Sequence, residues 1–148
     1  MKKYILLISF LTTFCLFAQT DYNTKKGLAV KGYDVTEYFN NKALKGSKEF
    51  SSKYDDVLYY FTSRSNKEKF DKTPEAFLPE YGGYCAYAIG LKSEKVDINP
   101  KSFEIKDNKL YLFYNAWGVN TLDLWNKSNP KELKEKADAN WKNIKKLN

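Results

Sequence analysis

Residues 103–114, FEIKDNKLYLFY, have the pattern of two short strands joined by a tight turn. Phe103 and Ile105 alternate with polar neighbours before a turn at Asp107–Asn108, and two leucines resume the alternation after it. Alternation of this kind is typical of a strand with one buried face, and a two-residue polar turn favours a hairpin. The segment therefore predicts an antiparallel β-hairpin.

Upstream of this hairpin, the sequence predicts one more strand and three short helices. Residues 57–62, VLYYFT, are rich in the β-branched and aromatic residues that favour strands. A capping box at residues 65–68 starts one helix, and Pro74 suits the first turn of the next. The small, apolar segment 84–91 indicates a buried helix with Gly90 near its end.

The C-terminal part is helical in pattern. Residues 129–132, NPKE, combine a capping asparagine with proline at the first helical position. The helix that follows carries one apolar stripe: Leu133, Ala137, Trp141 and Ile144. The helix before it is expected to share one apolar face among Trp117, Thr121, Leu124 and Trp125. Strands first and helices last predict an α+β fold, with a small antiparallel sheet and with short central helices and two C-terminal helices packed around it.

The N-terminus has the three zones of a secretory signal peptide. Two lysines precede an apolar run over residues 5–17, and cleavage is expected after Ala18 or Gln19. The run is shorter than the roughly 20 residues of a membrane span. Cys15 lacks the flanking small residue of a lipidation site, so it is assigned to the discarded signal, with an uncleaved anchor as the alternative. We expect a periplasmic or secreted protein without a transmembrane span, with a loose segment over residues 20–30 and one domain over 31–148.

The mature chain is poor in the side chains that bind soft metals. The sequence has no histidine, one methionine and two cysteines, and signal cleavage leaves only Cys85. A single cysteine cannot form an internal disulfide, although exported proteins usually pair their cysteines. The formal charge of +7 falls to +5 when the two lysines of the signal are removed. We interpret the scattered lysines as a solvated surface and expect no nucleic-acid partner.

Several blocks of sequence, in a fixed order, resemble the YHS domain family. The blocks are Gly32–Val35, Tyr38–Phe39, Lys45–Ser47, Tyr59–Phe61, Pro74–Pro79, Tyr81–Ala88, Lys109–Leu112 and Lys136–Trp141. They cover about residues 30–144, and the chain is similar to the exported, stand-alone branch of the family. The resemblance implies the fold and suggests metal handling, because metal-binding relatives carry an upstream cysteine and a Cys-x3-Cys pair. The pair corresponds to Thr62 and Asn66 here, so the ligands present do not support a thiolate metal site.

Residues 81–88, YGGYCAYA, contain the best candidates for a ligand site. The candidates are Cys85, Tyr81, Tyr84, Tyr87, Gly82 and Gly83. Paired glycines let a backbone approach a ligand closely, and tyrosines offer ring faces and hydroxyls. The alternative is that the glycines make a turn and that Cys85 is a small core residue, since free cysteine is among the most buried residue types.

Asp34, within Gly32-Tyr33-Asp34, is a further candidate for ligand binding, with a turn-fixing role as the alternative. Three functions follow from these residues. The first is a non-catalytic binding module for a small molecule or a metal ion. The second is a thiol-dependent redox enzyme that uses Cys85, and the third is a structural or partner-binding protein without a ligand. The sequence does not identify the ligand or the oligomeric state.

Overall fold

The computed structural model describes residues 21–146, so the predicted signal peptide and Cys15 lie outside the described residues. The strands are β1 Thr24–Lys25, β2 Leu28–Ala29, β3 Ser47–Tyr54, β4 Val57–Phe61, β5 Asn99–Lys106, β6 Lys109–Phe113, β7 Asn115–Ala116 and β8 Val119–Asn120. The α-helices are α1 Arg64–Lys72, α2 Ala86–Lys92, α3 Thr121–Lys127 and α4 Pro130–Lys146. Short 3-10 turns span Val30–Gly32, Glu37–Asn40, Pro74–Ala76 and Glu80–Gly83. These elements confirm the α+β class.

The largest sheet has the strand order β1-β2-β4-β3. Its pairings are antiparallel except between β2 and β4, which run parallel with Leu28 opposite Leu58. The sheet is therefore mixed, whereas we expected it to be antiparallel. The segment 20–30, expected to be loose, supplies β1 and β2 from residue 24 onward. Gly27, at φ 77°, allows the turn between those strands, and its carbonyl accepts a hydrogen bond from the backbone N–H of Leu58 at 2.9 Å.

The hairpin predicted over residues 103–114 is present as β5 and β6. Ile105 pairs with Leu110 and Lys106 with Lys109, so Asp107 and Asn108 form the two-residue turn. Both turn residues have positive φ, 51° and 57°, as a type I′ turn requires. Strand β5 begins earlier than expected, at Asn99, with an irregular pairing before Phe103.

Helices α1 and α2 begin one or two residues from their predicted starts. Ser63, rather than Ser65, caps α1, and its hydroxyl accepts a hydrogen bond from the Asn66 backbone N–H at 3.2 Å. Helix α2 begins at Ala86 because Tyr84 has an extended backbone and Cys85 is the capping residue. Gly90 lies inside α2 against α4, where an added Cβ would lie 2.7 Å from the Leu133 carbonyl oxygen.

Helix α4 confirms its predicted start and stripe. The Asn129 side chain accepts a hydrogen bond from the Glu132 backbone N–H at 3.3 Å, and Leu133 and Ala137 are buried. The prediction for Trp117 was wrong, because this residue lies in the turn between β7 and β8 and not on a helix. Helix α3 begins only at Thr121. Asn120 is its capping residue, and the Asn120 side chain accepts a hydrogen bond from the backbone N–H of Leu122.

Two groups of buried side chains meet at the start of α2. One group, which includes Cys85, lies under the large sheet and reaches Leu110 and Leu112 of β6. The other group, which includes Ala86, joins the opposite side of β6 to α3 and α4. Cys85 therefore stands at the boundary between the two cores. No helix within residues 21–146 is both long and apolar enough to cross a membrane.

Candidate functional site

A cavity of about 340 Å³ opens beside Cys85, between α2, α3 and the β7–β8 hairpin. Most of its wall is apolar. The lining residues are Cys85, Tyr87, Ala88, Leu91, Lys92, Glu94, Val96, Tyr114, Val119, Thr121 and Leu124. We call this cavity the Cys85 pocket. Its size and its apolar wall with a few polar groups are typical of sites for small molecules.

Cys85 forms the inner end of the pocket and is fully buried. Its Sγ lies 3.2 Å from Thr121 Oγ1 and accepts a hydrogen bond from the Tyr114 backbone N–H at 3.4 Å. The Thr121 hydroxyl donates its one hydrogen to the Tyr114 carbonyl oxygen at 2.8 Å. The Cys85 thiol must then be the donor to Thr121 Oγ1. The network therefore holds the Cys85 side chain in place.

The mouth of the pocket carries aliphatic side chains that remain in contact with water. Leu91 is 53%, Val119 46% and Leu124 39% exposed. Lys92 and Glu94 also line the pocket and bring one charge of each sign. Exposed large apolar residues that cluster around one opening indicate a binding surface. The pocket can therefore hold an apolar body, with polar contacts at its inner end and its rim.

Tyr87 is the one tyrosine of the YGGYCAYA segment that lines the Cys85 pocket. Tyr81 faces another way, and its hydroxyl donates a hydrogen bond to Asp138 Oδ1 at 2.9 Å. Burial, followed by the Asp138 contact, raises the pKa of Tyr81 far above its usual value. Tyr84 packs against Trp141, with ring centroids 6.2 Å apart. The structure therefore does not gather the three predicted tyrosines around one site.

Gly82 and Gly83 form hydrogen bonds with the N-terminal segment and do not line the Cys85 pocket. The Asn23 backbone N–H donates to the Gly82 carbonyl oxygen at 2.8 Å, and Asn23 Nδ2 donates to the Gly83 carbonyl oxygen at 3.1 Å. Gly82 has φ 61°, and an added Cβ there would lie 1.9 Å from the Asp21 carbonyl oxygen. Glycine is required at Gly82 because a second backbone segment touches it, whereas Gly83 needs glycine for its φ of 81°.

Asp34 lies at the centre of a separate, buried hydrogen-bond network. Its Oδ1 accepts from the backbone N–H and hydroxyl of Thr36, at 2.9 and 2.7 Å. Its Oδ2 accepts from the backbone N–H and hydroxyl of Thr62, at 2.7 and 2.9 Å, and from Asn66 Nδ2 at 2.9 Å. The carboxylate is fully buried and its acceptor sites are filled, so Asp34 organises the backbone and does not face a ligand.

The two positions that correspond to the thiolate pair of metal-binding relatives belong to this same network. Thr62 and Asn66 point their donors at Asp34, and Asn66 Nδ2 also lies 2.7 Å from Glu37 Oε1. A hydroxyl and an amide that already donate to carboxylates do not fit a thiolate metal centre. Within residues 21–146, no three His, Cys, Asp or Glu side chains are grouped to hold a metal ion.

Sequence reasoning missed the part of the pocket that lies far from Cys85 in the chain. Thr121 is 36 residues away and supplies the hydrogen-bond partner of the thiol. The sequence places Thr121 on the apolar face of a predicted helix, which does not indicate what it contacts. No model of a known protein family, no curated protein and no solved structure matches the chain. The resemblance to the YHS family therefore stays a prediction.

Proposed function

We propose that the protein is a non-catalytic binding module that holds a small, mainly apolar molecule in the Cys85 pocket. The observation that carries the proposal is a preformed apolar cavity that ends on a hydrogen-bonded thiol and hydroxyl, those of Cys85 and Thr121. The predicted signal peptide places this activity outside the cytoplasm. The resemblance to the YHS family is compatible with a binding role and is not needed for it.

The chemistry of the pocket favours binding over thiol catalysis. A catalytic thiol reacts as a thiolate and needs a base or a positive charge at the sulfur. The hydrogen-bond partners of the Cys85 sulfur are the Thr121 hydroxyl and the Tyr114 backbone N–H, and neither is a base. The thiol also serves as a donor to Thr121 and is fully buried. These contacts suit a fixed wall of a binding site.

The pocket also indicates the chemistry of its ligand. Aliphatic and aromatic side chains line most of it, so an apolar ring or a short aliphatic chain would fill it. One hydrogen-bonding group on the ligand could reach the Lys92 or Glu94 side chains at the rim. A multiply charged ligand would lose its hydration without enough partners in return. We therefore expect a neutral or singly charged organic molecule.

Native mass spectrometry of protein purified from its own compartment tests the proposal. Wild type is expected to carry an added mass of a few hundred daltons at most, since a cavity of this size holds one small organic molecule. Val119→Trp puts a bulky ring on the wall and should remove that mass. Leu44→Trp is the matched control, because Leu44 is similarly exposed, at 43%, and does not line the pocket. Bare protein mass in wild type, or equal retention by both variants, would contradict the proposal.

A further inference from the structure

Trp117 has the most unusual environment of any large side chain in the described part of the protein. It is 95% exposed, at the tip of the hairpin formed by β7 and β8. Ala116 pairs with Val119, so Trp117 and Gly118 form a two-residue turn, with φ values of 53° and 75°. Positive φ at both positions defines a type I′ turn, for which Asn-Gly is the preferred pair.

Tryptophan at this position is unfavourable for the fold on two counts. A bulky residue with positive φ is an outlier, because its Cβ crowds the backbone. At 95% exposure the indole also buries almost no apolar surface within its own chain. Asparagine would suit the turn better. Such a residue lowers stability and adds no packing within its own chain. Its presence therefore indicates a role outside the folded monomer.

The hairpin that carries this exposed indole also forms part of the wall of the Cys85 pocket. Val119, two residues along the same hairpin, lines the pocket, and Leu91 and Leu124 complete the exposed apolar rim. One face of the protein therefore presents a protruding apolar ring and an apolar cavity side by side. We call this surface, formed by Trp117 and the rim of the Cys85 pocket, the indole face.

We propose that the indole face is a self-association surface, on which Trp117 of each copy enters the Cys85 pocket of the other. With a two-fold axis between the copies, Trp117 of each molecule faces the Cys85 pocket of the other. A small molecule inside the cavity would leave Trp117 in water, so only a macromolecular surface can cover the whole face. A second copy carries both complementary shapes.

The size of the Cys85 pocket and the charges on its rim agree with Trp117 of a second copy as the occupant. A cavity of about 340 Å³ stands near the lower end of the ~300–1,000 Å³ range of ligand pockets, which leaves room for one bicyclic ring such as indole. Lys92 and Glu94 line the pocket, so two identical rims can pair opposite charges. Each tryptophan would bury about 150–250 Å², so the two rings together bury about 300–500 Å², which is well below the ~1,000 Å² of stable interfaces. The dimer is therefore expected to be weak, on the order of 10–100 µM.

The dimer would close the Cys85 pocket, so self-association and the ligand of the proposed function exclude each other. The dimer itself requires only the cavity and Trp117, and it does not rest on that function. Sedimentation velocity of the processed protein between about 5 and 500 µM measures it directly, on samples freed of bound ligand whose native mass is that of the bare chain. We expect the sedimentation coefficient to rise with concentration in wild type, and the tryptophan emission to shift to shorter wavelength over the same range.

Trp117→Asn removes the indole and restores the preferred turn pair, so this variant should fold at least as well as wild type and stay monomeric at 500 µM. Leu124→Asp keeps the indole but charges the rim of the pocket, and it should weaken self-association at least tenfold. Leu44→Asn, outside the indole face, should sediment like wild type. Monomeric wild type at 500 µM, or association that survives Trp117→Asn, would overturn the proposal and leave the mass-spectrometric result for the pocket unaffected.

Discussion

At the scale of single residues, two candidates for ligand binding, Asp34 and Cys85, are held in place by their hydrogen bonds. The Asp34 carboxylate accepts from Thr36, Thr62 and Asn66, which belong to two separate parts of the chain. The Cys85 thiol is held between Thr121 and Tyr114. Both groups are fully buried, but only Cys85 lines a cavity. This difference separates a structural residue from a candidate site residue.

Asp34→Asn is expected to destabilise the protein strongly without changing the Cys85 pocket. An amide has one acceptor oxygen in place of two, and its NH2 group would face donors of Thr36 or Thr62 inside the core. We expect a loss of about 3 kcal/mol in the free energy of unfolding, since hydrogen bonds to a buried charge are worth about 1.5–3 kcal/mol each. Urea unfolding measures it. Asp56→Asn, in an exposed turn, is the control and should change stability by less than about 0.5 kcal/mol. An equal effect of both substitutions would contradict this account of Asp34.

The sequence identified Cys85 and Asp34 as notable residues, but it could not assign their partners. Contacts between Cys85 and Thr121 depend on how α3 packs against the start of α2. Such long-range packing has no local signature in composition or periodicity. The short motif YGGYCAYA also suggested one site, whereas its backbone turns send Tyr81 and Tyr87 to different places.

At the scale of elements, the predictions that depend on local chemistry hold. The β5–β6 turn at Asp107–Asn108 and the start of α4 at Pro130 were both predicted from residue types that act on their own neighbours. The capping residue of α1 is an exception, because Ser63 takes the place expected for Ser65. The other errors concern segments whose structure depends on distant partners. Segment 24–29 is polar, yet it forms strands because Leu28 pairs with Leu58 of β4. Trp117 fits a helical spacing by coincidence and lies in a turn.

Gly90→Ala tests the close contact between α2 and α4. The added methyl group would lie 2.7 Å from the Leu133 carbonyl oxygen, so the two helices must separate. Alanine is the better helix former, which alone would stabilise α2 by about 1 kcal/mol. Because overpacking of a core costs about 1–3 kcal/mol, we expect a net loss of up to about 2 kcal/mol. Thermal unfolding checks it, with Ser65→Ala on the exposed side of α1 as the control. A rise in stability for Gly90→Ala would show that the helices are not in close contact.

At the scale of the whole molecule, the core is unusually rich in tyrosine, and this predicts its response to pH. Burial is the main cause that raises the pKa of five tyrosines: Tyr22, Tyr38, Tyr59, Tyr81 and Tyr111. For Tyr22, burial and then the Asp55 carboxylate raise the pKa to about 12. The unfolded chain loses these protons near pH 10 and the folded protein does not. The stability that these tyrosines contribute should therefore be constant below about pH 10 and fall between about pH 10 and 12.

Two conservative substitutions separate the contributions to this alkaline response. The Tyr59 hydroxyl is buried without a hydrogen-bond partner, whereas the Tyr38 hydroxyl donates to the Pro100 carbonyl oxygen at 2.8 Å. Tyr59→Phe should leave stability at pH 7 unchanged or increase it by up to about 1 kcal/mol, while Tyr38→Phe should lower it by about 1 kcal/mol. Both substitutions should reduce the loss of stability above pH 10. Urea unfolding at pH 7, 10 and 11 measures the effect, and a decline that is as steep in both variants as in wild type would rule out this cause.

A small organic molecule bound in the Cys85 pocket should be visible in a crystal structure of the protein purified from its own compartment, without denaturation or refolding. We predict continuous electron density for one ligand between Leu91, Val119 and Leu124, reaching toward the thiol and hydroxyl at the inner end. A pocket that contains only water, in protein whose native mass is that of the bare chain, would contradict the claim.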